Sequence, residues 1–349
     1  MILLIVLALM GDGASAGGPA VPLLEKGQRL FQQGDLTGAL RAFDAAAAAD
    51  SKDARAPYLR GVVLEKKGDA AGALAAYRAA VSRKPDFAEA NNNLGALLLA
   101  KGDAAGAAAA LEAATKANPA YAEAHYNLGL ARDALGKRAE AVVAYRAAVR
   151  LKPSDGGYRL NLGAALRRAG DIDGAAAALK EATRLSPNDA LGFADLGMVL
   201  SDQRAFDDAQ RALEQATKLN PNLALAWDRL GRVNLKKGDA AGAVTAGEKA
   251  RKLDAANGAF AADLCRALFE TRAAARAVTE CKAAVQLDPK NALAHYELGK
   301  ALVAKGDCAA ARAEMDRFVA LPGVKPEAKT QAQAIVAACA AGDGKAAAK

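Results

Sequence analysis

Residues 122–155 read AEAHYNLGLARDALGKRAEAVVAYRAAVRLKPSD, and the chain returns to this pattern every 34 residues. The first glycine of this stretch, Gly129, recurs every 34 residues at Gly27, Gly61, Gly95, Gly163, Gly197, Gly231 and Gly299. Cys265 occupies the same position in one repeat. A fixed period of this kind is the sequence signature of a solenoid. We therefore predict one elongated array of repeats, not two or three globular domains, for the 349 residues.

The punctuation inside one repeat predicts a helical hairpin. In the repeat that begins at residue 88, a first helix is expected from about Ala88 to Lys101, and a second helix is expected to end before Pro119. Gly102 suits a left-handed helix end, and Asp103 can cap the next helix. A bulky residue follows six glycines of the column by sixteen positions: Phe43, Tyr77, Leu111, Tyr145, Leu179 and Leu213. This spacing predicts large side chains packed against small ones.

One set of columns carries a family resemblance: Leu128, Gly129, Ala141, Tyr145, Ala148 and Pro153. The pattern resembles the tetratricopeptide repeat, which has Leu-Gly, two alanine columns, an aromatic residue and a closing proline. The resemblance implies an all-α fold, a right-handed α-solenoid superhelix of about nine helical hairpins plus a C-terminal capping helix. The hairpins are expected at residues 20–53, 54–87, 88–121, 122–155, 156–189, 190–223, 224–257, 258–291 and 292–325, the capping helix at 326–341, and a disordered tail at 342–349.

Three asparagines share one position of the first helix: Asn93, Asn127 and Asn161, each two residues before a glycine of the column. In the family that the chain resembles, first helices line the concave face. The resemblance therefore implies that these amides donate to and accept from the backbone of an extended peptide. The column is similar to the asparagine ladder in the superhelix of the O-linked N-acetylglucosamine transferase. The alternative is that asparagine only fills a consensus slot between helices.

Charged residues replace asparagine in the second half, where the column continues with Asp195, Arg229, Asp263 and Glu297. We expect this half to contact a partner through charge, with Asp195 included in the binding face. Arg229, Arg232 and Arg266 are candidates to hold a carboxylate, because arginine forms bidentate pairs. The alternative is an internal salt-bridge network that includes Asp228 and Asp263.

All four cysteines lie in the last third of the chain, and four cysteines allow three pairings. Cys265 and Cys281 occupy the glycine slot and the bulky slot of one repeat, so we expect them to face each other. Cys308 begins a second helix and Cys339 ends the capping helix, so antiparallel packing places them at the same end. We predict the bridges Cys265–Cys281 and Cys308–Cys339. The alternative is four buried thiols in a reducing compartment.

The first residues differ in kind from the repeats. Ile2 to Met10 is a continuous apolar run, and Ala14-Ser15-Ala16 follows it. This order is typical of a cleaved secretory signal at residues 1–16, although no basic residue precedes the run. The run is too short for a membrane-spanning helix. We expect a periplasmic or secreted bacterial protein without stable membrane insertion, or a cytoplasmic one if the run is not a signal.

The motifs argue against chemistry on this chain. It has no GxSxG, phosphate-binding glycine loop or HExxH, and its cysteines lack the CxxC spacing of zinc sites. The net charge is +8, but many basic residues end second helices, where cations complement the helix dipole. We therefore predict no enzymatic activity, no cofactor, no metal and no nucleic-acid partner.

The function predicted is that of a scaffold that binds an extended segment of another protein in its groove. By analogy of fold, it would serve bacterial envelope assembly, secretion or motility. Two alternatives stay open. One is a substrate-recognition module of a glycosyltransferase-like system without its catalytic domain, and the other is a cytoplasmic adaptor.

Overall fold

The structure, a computed structural model, describes residues 18–341, and every helix or strand that it contains there is an α-helix. The nineteen helices of these residues are α1 (Val21–Gln32), α2 (Leu36–Ala49), α3 (Arg55–Lys66), α4 (Ala70–Arg83), α5 (Ala88–Ala100), α6 (Ala104–Ala117), α7 (Ala122–Ala134), α8 (Arg138–Leu151), α9 (Gly156–Ala169), α10 (Ile172–Leu185), α11 (Ala190–Asp202), α12 (Phe206–Leu219), α13 (Ala224–Lys237), α14 (Ala240–Leu253), α15 (Gly258–Glu270), α16 (Ala274–Leu287), α17 (Ala292–Lys305), α18 (Cys308–Ala320) and α19 (Pro326–Ala340). The predicted all-α repeat fold is confirmed. None of these helices combines the length and the apolarity that a bilayer crossing requires. The predicted signal peptide and the predicted tail lie outside the described residues.

The chain divides after residue 170 into two compact units. The first unit contains the hairpins α1/α2, α3/α4, α5/α6 and α7/α8, followed by α9. The second unit contains α10, the hairpins α11/α12, α13/α14, α15/α16 and α17/α18, and finally α19. The boundary lies inside the repeat predicted at residues 156–189, so that repeat contributes one helix to each unit.

The turns inside most hairpins follow the predicted chemistry. Asp103 caps α6 by accepting a hydrogen bond from the Gly106 N–H at 2.8 Å, and Gly102 has a φ of +82°. Arg204 and Arg272 stand where other turns have glycine, and they adopt φ values of 60° and 59°. A side chain is strained in this left-handed region, because its Cβ approaches the following carbonyl oxygen.

The glycine column allows the two helices of a hairpin to approach closely. A Cβ atom placed on Gly129 would lie 2.6 Å from Cδ1 and Cε1 of Tyr145, and one placed on Gly61 would lie 2.6 Å from Cε1 of Tyr77. Both tyrosines are fully buried. The predicted packing of a large side chain on a small one is therefore confirmed in these hairpins.

Within each unit, the first helices of neighbouring hairpins lie closer to one another than the second helices do. In the first unit α1 contacts α3 and α5 contacts α7, while in the second unit α11, α13, α15 and α17 contact one another in order. Second helices of successive hairpins make no comparable contact among the described residues. Each unit therefore has a first-helix face: the N-terminal face, formed by α3, α5, α7 and α9, and the C-terminal face, formed by α11, α13, α15 and α17.

A capping helix lies where the sequence predicts one. α19 packs on α17 and α18 and buries Ala332, Ile335, Val336 and Cys339. Met315 and Phe318 of α18 belong to the same apolar cluster. α19 thereby removes from water an apolar end that the last hairpin would otherwise expose.

Candidate functional site

The three predicted asparagines lie on successive first helices of the N-terminal face, and all are half-buried. Their Nδ2 atoms donate within the chain: Asn93 to the hydroxyl of Tyr77 at 3.3 Å, Asn127 to Oδ1 of Asn92 at 2.9 Å, and Asn161 to the hydroxyl of Tyr126 at 3.2 Å. The last two bonds connect neighbouring first helices. The amides are therefore held in fixed orientations along this face.

Tyr77, which accepts from Asn93, and the buried Tyr145 are each hydrogen-bonded to a carboxylate. Tyr77 donates to Oε2 of Glu65 at 2.7 Å, and Tyr145 donates to Oδ2 of Asp133 at 3.3 Å. Burial, followed by the nearby carboxylate, raises the pKa of both phenols well above the ordinary value. The two hydroxyl groups thus remain protonated at neutral pH and keep their donor role.

The asparagine side chains keep hydrogen-bonding groups that are not used within the described part of the chain. Each side-chain amide has two N–H donors and a carbonyl oxygen with two lone pairs. Oδ1 of Asn127 and Oδ1 of Asn161 accept no hydrogen bond from any residue that the structure describes. These oxygens lie one repeat apart on α7 and α9 and can accept from backbone N–H groups of a bound chain.

The C-terminal face carries ion pairs in place of amides. Arg229 on α13 donates through Nη1 to Oδ1 of Asp195 on α11 at 2.9 Å. Glu297 on α17 receives Nζ of Lys300 at 3.1 Å and lies 4.0 Å from Nε of Arg266. Internal salt bridges are therefore present on this face, but they are formed by Asp195 and Glu297 and not by Asp228 and Asp263, the residues that the sequence suggested.

The three candidate arginines differ in how far their guanidinium groups are available to an external anion. Arg229 is committed to Asp195, and Arg266 has only a long contact with Glu297. Arg232 is exposed and makes no hydrogen bond or ion pair with a residue in the described part of the chain. Of the three, Arg232 is the one whose whole guanidinium can meet an external anion.

Asp228 and Asp263 form a carboxyl pair behind these arginines. Asp228 is 6% exposed, and burial, followed by the charge of Asp263, raises its pKa to about 7. Burial also raises the pKa of Asp263, against the opposing charges of Arg232 and Arg266. One proton shared by the pair therefore lowers the negative charge of the face near neutral pH.

This carboxyl pair predicts a pH-dependent stability. Above the ordinary pKa of 3.8 the unfolded Asp228 loses its proton while the folded carboxyl retains it up to about pH 7. Folding stability should therefore fall as pH rises through this window. Asp228→Asn, which donates to Asp263 without ionising, should be about 2 kcal/mol more stable than wild type at pH above the window. Urea unfolding followed by circular dichroism at about pH 5 and about pH 8 measures both proteins.

The matched control is Glu214→Gln, at an exposed carboxylate of α12, which should unfold as the wild type does at both pH values. An Asp228→Asn protein with the same pH dependence as wild type would contradict the shared proton.

Ring nitrogens have a structural role that sequence reasoning missed. Nε1 of Trp227 donates to the Pro221 carbonyl at 2.9 Å, and Nε2 of His125 and Nε2 of His295 lie 3.1 Å and 3.0 Å from the Pro119 and Pro289 carbonyls. The signal in the sequence is the constant six-residue interval from proline to ring. These side chains attach first helices to the preceding turn.

The structure brings both predicted cysteine pairs to disulfide distance. The Cα atoms of Cys265 and Cys281 are 5.2 Å apart, and those of Cys308 and Cys339 are 5.7 Å apart. The four sulfur atoms form these two bridges, and no free cysteine remains in the described part of the chain. No group of three metal-ligating side chains is positioned for a metal ion within residues 18–341.

Comparison with known families supports the repeat assignment. The family model described as tetratricopeptide repeat matches residues 24–88, 66–122, 92–155, 126–190 and 194–262, and a second model described as TPR repeat matches residues 274–306. The comparison with curated proteins finds no match.

Two solved structures illustrate the similarity in fold. The crystal structure of the APC/C hetero-tetramer Cut9-Hcn1 matches with a TM-score of 0.55 and 20% identity over 80% of this chain, and this chain spans 55% of that chain. The structure of pilF of Pseudomonas aeruginosa matches with a TM-score of 0.53 and 21% identity, over 61% of this chain and 96% of that one. At these identities the similarity shows the fold alone.

Proposed function

The chain belongs to the tetratricopeptide repeat family, and from this premise we propose that it binds an extended segment of another protein on its first-helix faces. The repeats of this family generally form non-catalytic scaffolds for protein interaction, so the expected activity is binding without chemistry. A solenoid presents an extended surface, which suits a stretched polypeptide better than a small molecule.

The observation that carries the proposal is the asparagine row of the N-terminal face. Asn93, Asn127 and Asn161 are held by intramolecular hydrogen bonds, and two of them keep an unused carbonyl oxygen. An extended peptide carries backbone donors and acceptors that do not depend on its sequence. Amides fixed before binding lose little conformational freedom when a peptide arrives, which favours affinity.

We place this function in the bacterial envelope, in assembly, secretion or motility. Two features support an oxidising compartment: the apolar run followed by a small-residue site at residues 2–16, and the two cysteine pairs at disulfide distance. Disulfides persist in the periplasm and outside the cell and are rare in the cytosol.

The test is a crosslinking pull-down from the native envelope with the triple variant Asn93→Ala/Asn127→Ala/Asn161→Ala. We expect it to recover less of the partners that the wild-type protein retains. The matched control is Ser82→Ala/Lys116→Ala/Arg150→Ala, which changes three exposed second-helix residues with the same 34-residue spacing. Circular dichroism checks that both variants fold. Equal partner recovery by the folded asparagine variant and by wild type would refute the role of the row.

A further inference from the structure

The C-terminal face has three parallel rows of side chains. The first row is apolar: Leu191, Leu225, Ala259 and Leu293. The middle row is Asp195, Arg229, Asp263 and Glu297, and the third row is Met198, Arg232, Arg266 and Lys300. On each first helix the three rows are four and three residues apart, so they share one side of the helix. Seven residues of helix separate the outer rows by about 10 Å.

The apolar row is accessible to a partner. Leu191 is 54% exposed and Leu225 is 40% exposed, and both belong to consecutive first helices, α11 and α13. Leu293 on α17 is half-buried. Most exposed surface positions of a helix carry polar residues, so two exposed leucines in one row mark a surface that favours apolar contact.

The basic row is accessible at two of its members. Arg232 has no ion pair within the described residues, and Arg266 has only the 4.0 Å contact with Glu297. Lys300 is held by Glu297 and by the ring of Phe269, whose centroid lies 4.3 Å from Nζ. The two arginines are therefore the groups that can form bidentate bonds with external carboxylates.

The N-terminal face lacks this combination. The positions equivalent to the apolar row are Arg55, Glu89, Glu123 and Gly157, and those equivalent to the basic row are Val62, Ala96, Leu130 and Ala164. The amide row of that face suits any extended backbone, whereas the C-terminal face presents apolar and positive groups on opposite edges. The two faces therefore differ in the side chains that they select.

We propose that the C-terminal face binds an extended acidic segment of a partner protein that also carries apolar side chains, with its carboxylates on Arg232 and Arg266 and its apolar groups on Leu191 and Leu225. This proposal rests on the polypeptide-binding function proposed above and names the partner chemistry of one face. Charge complementarity favours an acidic segment, because Arg232 is exposed and is attracted by Asp228 and Asp263 without forming a direct ion pair with a described residue. A basic segment would leave the two arginines without an anion.

The middle row tolerates an anionic partner. Arg229 is neutralised by Asp195, and Glu297 is neutralised by Lys300. The raised pKa values of Asp228 and Asp263 keep one proton on that pair near neutral pH. The affinity for an acidic segment should therefore fall when the pair loses its proton at higher pH. Facing charges on α11, α13, α15 and α17 are Asp195, Arg229, Arg232, Arg266, Glu297 and Lys300.

The experiment measures fluorescence anisotropy of the full chain with a labelled peptide that alternates aspartate and leucine. About twelve residues suffice, because they extend to roughly 40 Å and cross four helices about 10 Å apart. Peptides that alternate asparagine with leucine, or aspartate with serine, remove one chemistry each. We expect the aspartate–leucine peptide to bind at least about tenfold more tightly than either, and its affinity to fall as salt increases.

Variants assign the contacts. Arg232→Gln/Arg266→Gln should weaken binding of the aspartate–leucine peptide about tenfold, since two charge-assisted contacts are lost. Leu191→Ser/Leu225→Ser should weaken it while leaving the aspartate–serine peptide unchanged. Lys218→Gln/Lys252→Gln, at exposed cations of second helices in the same unit, is the control and should bind as wild type does.

Each contrary outcome has a distinct meaning. Equal binding of the asparagine–leucine peptide, or equal loss in the control variant, would overturn the acidic-segment proposal. Efficient competition by a single-stranded oligonucleotide would overturn it in favour of a nucleic-acid surface. If the envelope pull-down depends on the asparagine row while the acidic peptide fails to bind, only the present inference fails. If the pull-down does not depend on the asparagine row and peptide binding does not depend on the C-terminal face, the proposed function fails as well.

Discussion

Replacing Gly129 with alanine is expected to destabilise the first unit by about 3 kcal/mol, because the new Cβ overlaps a packed ring. That atom would lie 2.6 Å from Tyr145, whose side chain is fully buried and cannot move aside. The ring is further held by the hydrogen bond of its hydroxyl to Asp133. Urea unfolding followed by circular dichroism measures the change as a lower midpoint at unchanged m-value.

Gly157→Ala is the matched control for this clash. Gly157 lies in the exposed first turn of α9, where an added Cβ would meet only Oδ1 of Asp155, at 3.3 Å. Alanine is a better helix former than glycine, so this change should be neutral or slightly stabilising. Tyr145→Ala should remove most of the penalty of Gly129→Ala in the double variant. Strictly additive effects of the two changes would contradict direct contact as the cause.

Reduction of the Cys265–Cys281 bridge should lower the stability of the second unit by about 3 kcal/mol, as expected for a closed loop of this length. The two cysteines are separated by 16 residues and are fully buried at the centre of the α15/α16 hairpin. Cys265 occupies the position that is glycine in other repeats, and Cys281 occupies the position of the large side chain. The disulfide therefore replaces the packing of a large side chain against glycine. The fluorescence of Trp227, the single tryptophan, follows the unfolding of this unit in urea.

The variant Cys265→Ala/Cys281→Ala provides the control for reduction. Without reductant this variant lacks only the Cys265–Cys281 bridge, so the difference between its unfolding midpoint and that of the oxidised wild type measures this bridge. In reductant, which also opens Cys308–Cys339, its midpoint should resemble that of the reduced wild type. A thiol assay on natively purified, denatured protein should find no free thiol. Four free thiols, or an unchanged midpoint after reduction, would contradict the pairing in solution.

The fold could be predicted from the sequence because each repeat is a local structure. A helical hairpin depends on residues within one 34-residue period, and neighbouring repeats contact only each other. Gly129 and Tyr145 lie sixteen positions apart, so one repeat contains both partners of the contact. The same reasoning placed Cys265 opposite Cys281. The left-handed backbone at Arg204 and Arg272 was not predicted, although both residues occupy the turn position where other repeats have glycine.

The candidate site depends on contacts between repeats, and these were less predictable. The asparagine and arginine columns could be recognised as positions, but their hydrogen-bond partners could not. Asn127 reaches Asn92, Asn161 reaches Tyr126, and Arg229 reaches Asp195, each across one repeat interface. Such contacts depend on rotamers and on the packing of two helices, which a period in the sequence does not specify.

The sequence by itself determined the helical hairpin, its period, its turns and the positions that share a first-helix face, because backbone propensity and small-to-large packing act within one repeat. Only the tertiary structure decided which functional groups stay available. It commits Arg229 and leaves Arg232 open, because Asp195 lies within hydrogen-bond distance of one arginine and not of the other. It also brings Asp228 beside Asp263, where burial and like charge favour the protonated form. The chemistry of the faces is therefore a property of how neighbouring repeats pack.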